Sequence, residues 1–235
     1  MITLDREPVN ALDSDVVRLL HEHFDELSTR TDVAAVVLRS DRRVFSAGAD
    51  LKHIRALNAD RESGSATSFV QSLQQLTETI ASLPIPTIAA IAGAATGGGL
   101  ELALACDLRV LGASAKIGLP EVTVGLVPAG GGTQRLTHLV GPSTASRLIL
   151  TGELITGADA HRLGIGQYLT ENENVDQTAM DLASRLARLP VRALIAAKRC
   201  IASSHGERGY ETEMAAIDDL LRSDSTESLL SAFGG

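Results

Sequence analysis

Two short apolar runs, Val33-Ala34-Ala35-Val36-Val37-Leu38 and Thr87-Ile88-Ala89-Ala90-Ile91, constrain this chain more than any other feature. Neither alternates with polar residues, so each reads as a strand buried on both faces, the habit of a parallel sheet covered by helices. The surrounding sequence agrees. A first strand over residues 2–5 precedes a helix that Ser14 can cap and that carries Val16, Val17, Leu20, Phe24 and Leu27 on one side. A polar loop and a helix over residues 69–83 follow, and Pro84 and Pro86 punctuate the entry to the second run. Residues 107–111 supply a third strand, and Ala129-Gly130-Gly131-Gly132 precedes a helical stretch over residues 133–140. Strands alternating with helices make this an α/β chain whose parallel strands are joined by crossovers.

From about Asn174 the pattern is helix only, over residues 175–188, 191–204 and 207–222, which divides the chain into an α/β core (1–173) and a helical region (174–235). No internal repeat or low-complexity linker interrupts it. Aromatic residues are 3% with no Trp, so the core must be packed from Ala, Leu, Ile and Val, and stacked nucleic-acid bases are disfavoured. The net charge of −8, with Lys and Arg scattered, also argues against a nucleic acid or an anionic membrane as partner. No run reaches the roughly 18 apolar residues of a membrane span, and residues 1–6 lack a basic then apolar leader, so a cytoplasmic protein is expected. Cys106 and Cys200 lie in apolar helical contexts without CxxC spacing and read as reduced core thiols. The six histidines show no HExxH spacing, and surface positions are expected for most; no metal site is indicated.

The stretch "TGGGLELALACD", residues 96–107, sets three glycines before an apolar helix and one carboxylate, Glu101, at the join. Free amides at a helix N-terminus suit an anion or a polarised carbonyl. The stretch lacks the Lys of a phosphate-binding loop, and its own carboxylate would repel phosphate. A Glu in a first helical turn has a plain electrostatic reading. Here Leu100, Leu102, Ala103, Leu104 and Ala105 make the helix apolar nearly all round, so Glu101 is expected to be buried with a raised pKa. "IGLPEVTVG" isolates a second acid, Glu121, among apolar residues and turn formers; the plain reading is a solvated loop acid. Paired carboxylates also occur in glycoside hydrolases, whose aromatic sugar platforms this chain lacks. The loop "FSAGADLK", residues 45–52, is small enough for a ligand to approach its backbone, and Lys52 is placed to meet a phosphate. No GxSxG elbow is present.

Together "FSAGADLK", "IAGAATGGGLELALACDLRV" and "AKIGLPEVTVGLVPAGGGTQRL" resemble, in order and spacing, the enoyl-CoA hydratase (crotonase) family, a likeness that extends loosely from Leu4 to Ala232. The resemblance implies a crotonase-like spiral of βαβ turns with a C-terminal helical trimerisation region, assembled as a homotrimer or a dimer of trimers that binds acyl-CoA thioesters. It implies an oxyanion hole from the amides of Ala49 and Gly98, catalytic roles for Glu101 and Glu121, and substrate contacts from Ala47, Asp50, Leu51, Lys52, Pro128 and Ala129. It implies no cofactor beyond the coenzyme A carried by the substrate. Both acids present favour hydration of a trans-2-enoyl-CoA, with Glu101 activating water and Glu121 protonating C2. A Δ3,Δ2-enoyl-CoA isomerase and a non-catalytic acyl-CoA- or RNA-binding relative are the alternatives. The sequence departs from the family at Ala129, where many members carry Gly, and at Val9, where Lys or Arg is common near the CoA phosphates. It also ends at Gly235 without a basic tail, so a less complete contact with the adenine is expected.

Overall fold

Both apolar runs form strands, but the first begins later than its composition suggests. Residue 36 pairs with residue 87, and the Val36 amide donates to Pro86 O at 2.9 Å. The next partners back along the chain include Pro86 and Pro84, which have no N–H to offer a ladder, so Val33 to Ala35 stay outside it.

The computed structural model describes residues 1–205 and 208–233, with backbone alone at 205 and 233. Glu207, the expected start of a late helix, and the terminal Gly234 and Gly235 lie outside the described residues. In chain order the elements are β1 (Ile2–Leu4), α1 (Ser14–Thr29), β2 (Val36–Ser40), α2 (Leu51–Leu57), α3 (Ser65–Ser82) and β3 (Thr87–Ile91). Then come β4 (Ala95–Thr96), α4 (Gly98–Ala105), β5 (Leu108–Gly112), β6 (Lys116–Gly118), α5 (Gly132–Thr151), β7 (Ile155–Thr156), α6 (Gly157–Arg162) and β8 (Tyr168–Thr170). Helices α7 (Val175–Ala187), α8 (Val191–Ala202), α9 (Gly209–Leu221) and α10 (Asp224–Phe233) follow.

The main sheet is parallel throughout, in the order β1-β2-β3-β5-β8. Alternate residues of each strand feed two apolar layers. Val37, Ile88, Ala90 and Val110 pack against Val175, Ala179 and Leu182 of α7. Val36, Leu38, Ala89, Ile91 and Leu111 face the larger cluster that contains Phe24, Leu76, Ile80 and Leu100 of α1, α3 and α4. Fully burying each large aliphatic side chain contributes about 1.5–3 kcal/mol, so this two-sided burial anchors the sheet. A second sheet, β4-β6-β7, stands beside it and fixes the turn before α4 through a Gly97 N–H to Gly118 O bond of 3.0 Å.

Several local expectations need correction. The cap of α1 is Asp13, whose carboxylate accepts from the Val16 amide, while Ser14 is the first helical residue. The polar loop before α3 contains α2, a seven-residue helix with no buried residue and therefore no apolar stripe to betray it. Helix α3 starts four residues earlier than expected, and the stretch over residues 133–140 continues beyond a kink at Gly141 and Pro142 to Thr151. The small strands β4, β6, β7 and β8 are too short to carry a pattern. Cys106 is a buried free thiol that burial pushes up to about 12, whereas Cys200 is half-buried on α8 rather than in the core.

Candidate active site

Helix α4 is wholly buried, all eight residues, and Glu101 is its one charged side chain. Its C-terminus is held by Arg109, whose guanidinium donates to Ala103 O (3.1 Å), Cys106 O (2.6 Å) and Ile165 O (2.6 Å). Its N-terminal residue Gly97 has φ 54° and no capping side chain, so the first-turn amides point outward uncapped. The glycines here serve three different contacts. A Cβ on Gly99 would fall on the Ser46 carbonyl oxygen, and one on Gly97 would stand 3.2 Å from Glu121 Oε1. One on Gly98 would stand 3.4 Å from the Ala49 amide nitrogen, with Leu73 and Leu12 at 3.2 and 3.3 Å. Ala49 and Gly98 therefore lie side by side, and among the described residues neither amide donates a hydrogen bond. Ala49 is left free because its neighbours make the contacts to Leu12: Leu12 N–H donates to Gly48 O and Asp50 N–H to Leu12 O.

Glu101 is 2% exposed. Its Oε1 accepts from the amides of Gly130 (2.8 Å) and Gly132 (2.9 Å), so the second glycine patch exists to grip this carboxylate. A side chain at either glycine would collide with it, a Cβ coming within 2.7 Å of Oε2 from Gly130 and 2.8 Å of Oε1 from Gly132. Burial raises the Glu101 pKa, and the two amides and the positive charge of Arg135 restrain the rise. Oε2 accepts no hydrogen bond from the described residues and is available to water.

Glu121 opens a single 3-10 turn, Glu121–Val124, and is not a solvated loop acid. Its Oε2 is buried with no hydrogen-bond partner. Burial pushes this carboxyl up to about 7, and the negative charge of Glu101 adds to the rise. Ala47, Ala49, Leu51, Gly98 and Glu121 line one cavity of about 130 Å³, together with Ile54, Gly97, Pro120, Thr123, Val124 and Leu126. Glu101, three residues after Gly98 on α4, is not among the residues that line it. A wider cleft of about 700 Å³ along β1 and the start of α1 is lined by none of the residues expected at the site, so size alone does not mark it.

The remaining expected contacts separate from that cavity. Asp50 caps α2, accepting from Lys52 and His53 amides, and pairs with Arg6 at 3.1 Å. Burial pushes its carboxyl up, but the His53 amide, Arg6 and the Lys52 amide hold it below the usual range. The Lys52 side chain is exposed, and Pro128 and Ala129 lead into Gly130 instead of lining the cavity. His23 and His138 are exposed, whereas His21, His53 and His161 are half-buried and bond to Ser72 O, Ser14 and Gly166 O. Among the described residues no group of three or more His, Cys, Asp or Glu is placed to hold a metal ion. The roles of Gly130, Gly132 and Thr77, whose hydroxyl donates to Gly130 O at 2.7 Å, were hidden in sequence because they depend on contacts 29 to 53 residues apart.

An unpartnered carboxylate oxygen should cost stability, and the sign follows from the shift. The Glu121 carboxyl titrates near 4.5 in the unfolded chain and near 7 when folded, so wild-type stability is fully present below 4.5 and is lost as pH rises through 7. Glu121→Gln, neutral throughout, is expected to be the more stable protein at pH 8 by about 1–2 kcal/mol, a value reduced for partial exposure. Thermal melts across pH 5 to 9 check this; a melting-point difference independent of pH would contradict it.

Comparison with known proteins gives a consistent result. The sequence model of a family described as enoyl-CoA hydratase/isomerase matches residues 1–233. A probable enoyl-CoA hydratase of Bacillus subtilis is 40% identical over 188 residues, 80% of this chain and 72% of that protein. A mitochondrial methylglutaconyl-CoA hydratase of Mus musculus is 41% identical over 180 residues, 76% of this chain and 56% of that protein. The crystal structure of an enoyl-CoA hydratase from Bacillus anthracis superimposes with a TM-score of 0.93 at 31% identity, covering 99% of this chain and 90% of that one.

Proposed function

We propose, from the premise that this chain belongs to the enoyl-CoA hydratase/isomerase family, that it adds water across the 2,3 double bond of a trans-2-enoyl-CoA to give a 3-hydroxyacyl-CoA. The observation that carries the reading is the meeting in one cavity of Glu121, titrating near 7, with the Ala49 and Gly98 amides. The thioester oxygen accepts from both amides, which hold the negative charge that develops on it as the enolate forms. Glu101, gripped on Oε1, presents Oε2 to the water and takes its proton while the oxygen bonds to C3. Glu121 supplies the proton that bonds to C2, and at neutral pH it is protonated often enough to do so. Each turnover leaves Glu101 protonated and Glu121 ionised, and exchange with solvent restores both. No cofactor beyond the substrate's coenzyme A enters this scheme.

Loss of the enoyl chromophore from crotonyl-CoA, against a panel of short, long, branched and aromatic enoyl thioesters, tests the reading. Migration of the double bond in a 3-enoyl-CoA without any hydration would replace it with isomerisation. Binding without turnover would indicate a non-catalytic relative.

The proposal extends to assembly and place. Tyr210, Met214, Ile217 and Leu221 recur along one side of α9 and are 85, 67, 45 and 58% exposed, while Ala216 is the only buried residue of that helix. Such a stripe beyond residue 174 suits a closed symmetric oligomer, a trimer or a dimer of trimers. Light scattering at micromolar concentration should give the mass of three or six chains; a stable monomer would refute this. No helix of the described residues is long and apolar enough to cross a membrane; the cytoplasmic location is part of the proposal and is supported by the bacterial relatives.

A further inference from the structure

Arg135 does not touch the cavity, yet the structure around it is built for one task. Its guanidinium donates through Nη1 to Gly130 O and to Thr77 Oγ1, each at 3.1 Å, and through Nη2 to Thr77 O at 3.3 Å and Glu78 Oε1 at 2.7 Å. Thr77 Oγ1 reaches the same Gly130 carbonyl at 2.7 Å. Gly131 sits at φ 95°, and a Cβ built on it would fall on Arg135 Nη1. The middle glycine of the patch is thus vacant of side chain so that a cation can lie across the turn. The glycines on either side donate the two amides that hold Glu101 Oε1.

We propose that Arg135 is a positioning residue for Glu101: lodged over Gly131, it fixes the turn whose amides orient the carboxylate and places a positive charge behind it. The proposal rests on the reading of Glu101 as the group that activates water. Glu78 on α3 and Glu121 on the 3-10 turn are the acids that face this region, and His138, one turn further on α5, is exposed. The charge of Arg135 favours the ionised form of Glu101 against the pull of burial. A neutral residue at 135 therefore lets the Glu101 titration move to higher pH, and with it the acidic limb of the kcat profile. A loosened turn also misdirects Oε2.

Arg135→Gln is expected to lower kcat by about 10- to 100-fold with little change in KM, as misorientation of a reacting group does. Its acidic limb should shift alkaline, and Arg135→Lys, which keeps the charge, should return the limb toward wild type. Gly131→Ala evicts the guanidinium with Arg135 still present and should shift the limb in the same direction, so it carries the test if Arg135→Gln does not fold. Carboxyl carbon NMR, assigned with Glu101→Gln, reads the Glu101 titration without turnover. A Glu101 titration and an acidic limb that stay at the wild-type pH in folded Arg135→Gln and Gly131→Ala overturn the proposal, as does a limb in Arg135→Lys displaced as far as in Arg135→Gln. If wild type hydrates no enoyl-CoA while the NMR titration moves, the positioning stands and the hydratase reading falls. Hydration with an unmoved titration gives the reverse.

Discussion

Glu101→Gln is expected to lower kcat by about 10² to 10⁴-fold, the usual contribution of a general acid or base, with a much smaller change in KM. The reason lies in the grip on Oε1. A Gln carbonyl oxygen satisfies the Gly130 and Gly132 amides as well as the carboxylate does, so its NH2 is turned to the place of Oε2. That group donates where the reaction needs an acceptor, and the water keeps its proton. Glu121→Gln should cost a similar factor by removing the proton destined for C2. If the two acids act on one water, the double variant should lose much less than the product of the single losses. Exchange of the C2 proton with solvent separates the roles, since Glu121→Gln should suppress it most and Glu101→Gln should retain a trace. Hydration rates equal to wild type in both single variants would make the pair structural.

Gly98→Val should cost about 10² to 10³-fold in kcat, the loss typical of one oxyanion donor. The added side chain does not simply fill the thioester site. Its Cβ points between Leu12 and Leu73 and toward the Ala49 amide, so the branched methyl groups must displace that amide or the core residues. The overpacking should also destabilise the fold by about 1–3 kcal/mol. Circular dichroism and a thermal melt establish that the variant is folded before its rate is read. Unchanged turnover in folded Gly98→Val would remove Ala49 and Gly98 from the mechanism.

What could be read in the sequence followed from short-range pattern. Thr87–Ile91 was legible because four of its five residues are apolar, and all five are buried in a two-faced sheet. Glu101 was legible as a buried carboxylate because its neighbours on one short helix are apolar, and the structure buries it with all seven of them. Helix α2 escaped because it buries nothing, and the choice between Asp13 and Ser14 as a cap turns on one residue of phase that the apolar stripe does not fix. The partners of Glu101 escaped for a different reason. Which glycine faces a carboxylate 29 residues away is set by how α4 and α5 pack, and no local preference encodes it. Val9 looked like the loss of a cation near the site, yet Arg6 stands nearby and is committed to Asp13 and Asp50.

The central claim is that water adds to an enoyl thioester through Glu101 and Glu121, and turnover of crotonyl-CoA in D2O followed by proton and carbon NMR tests it most directly. The account predicts a 3-hydroxybutyryl-CoA with the solvent oxygen on C3 and one deuterium on C2, formed by wild type and strongly reduced in Glu101→Gln and Glu121→Gln. Recovery of unhydrated crotonyl-CoA from the folded wild-type protein would contradict it.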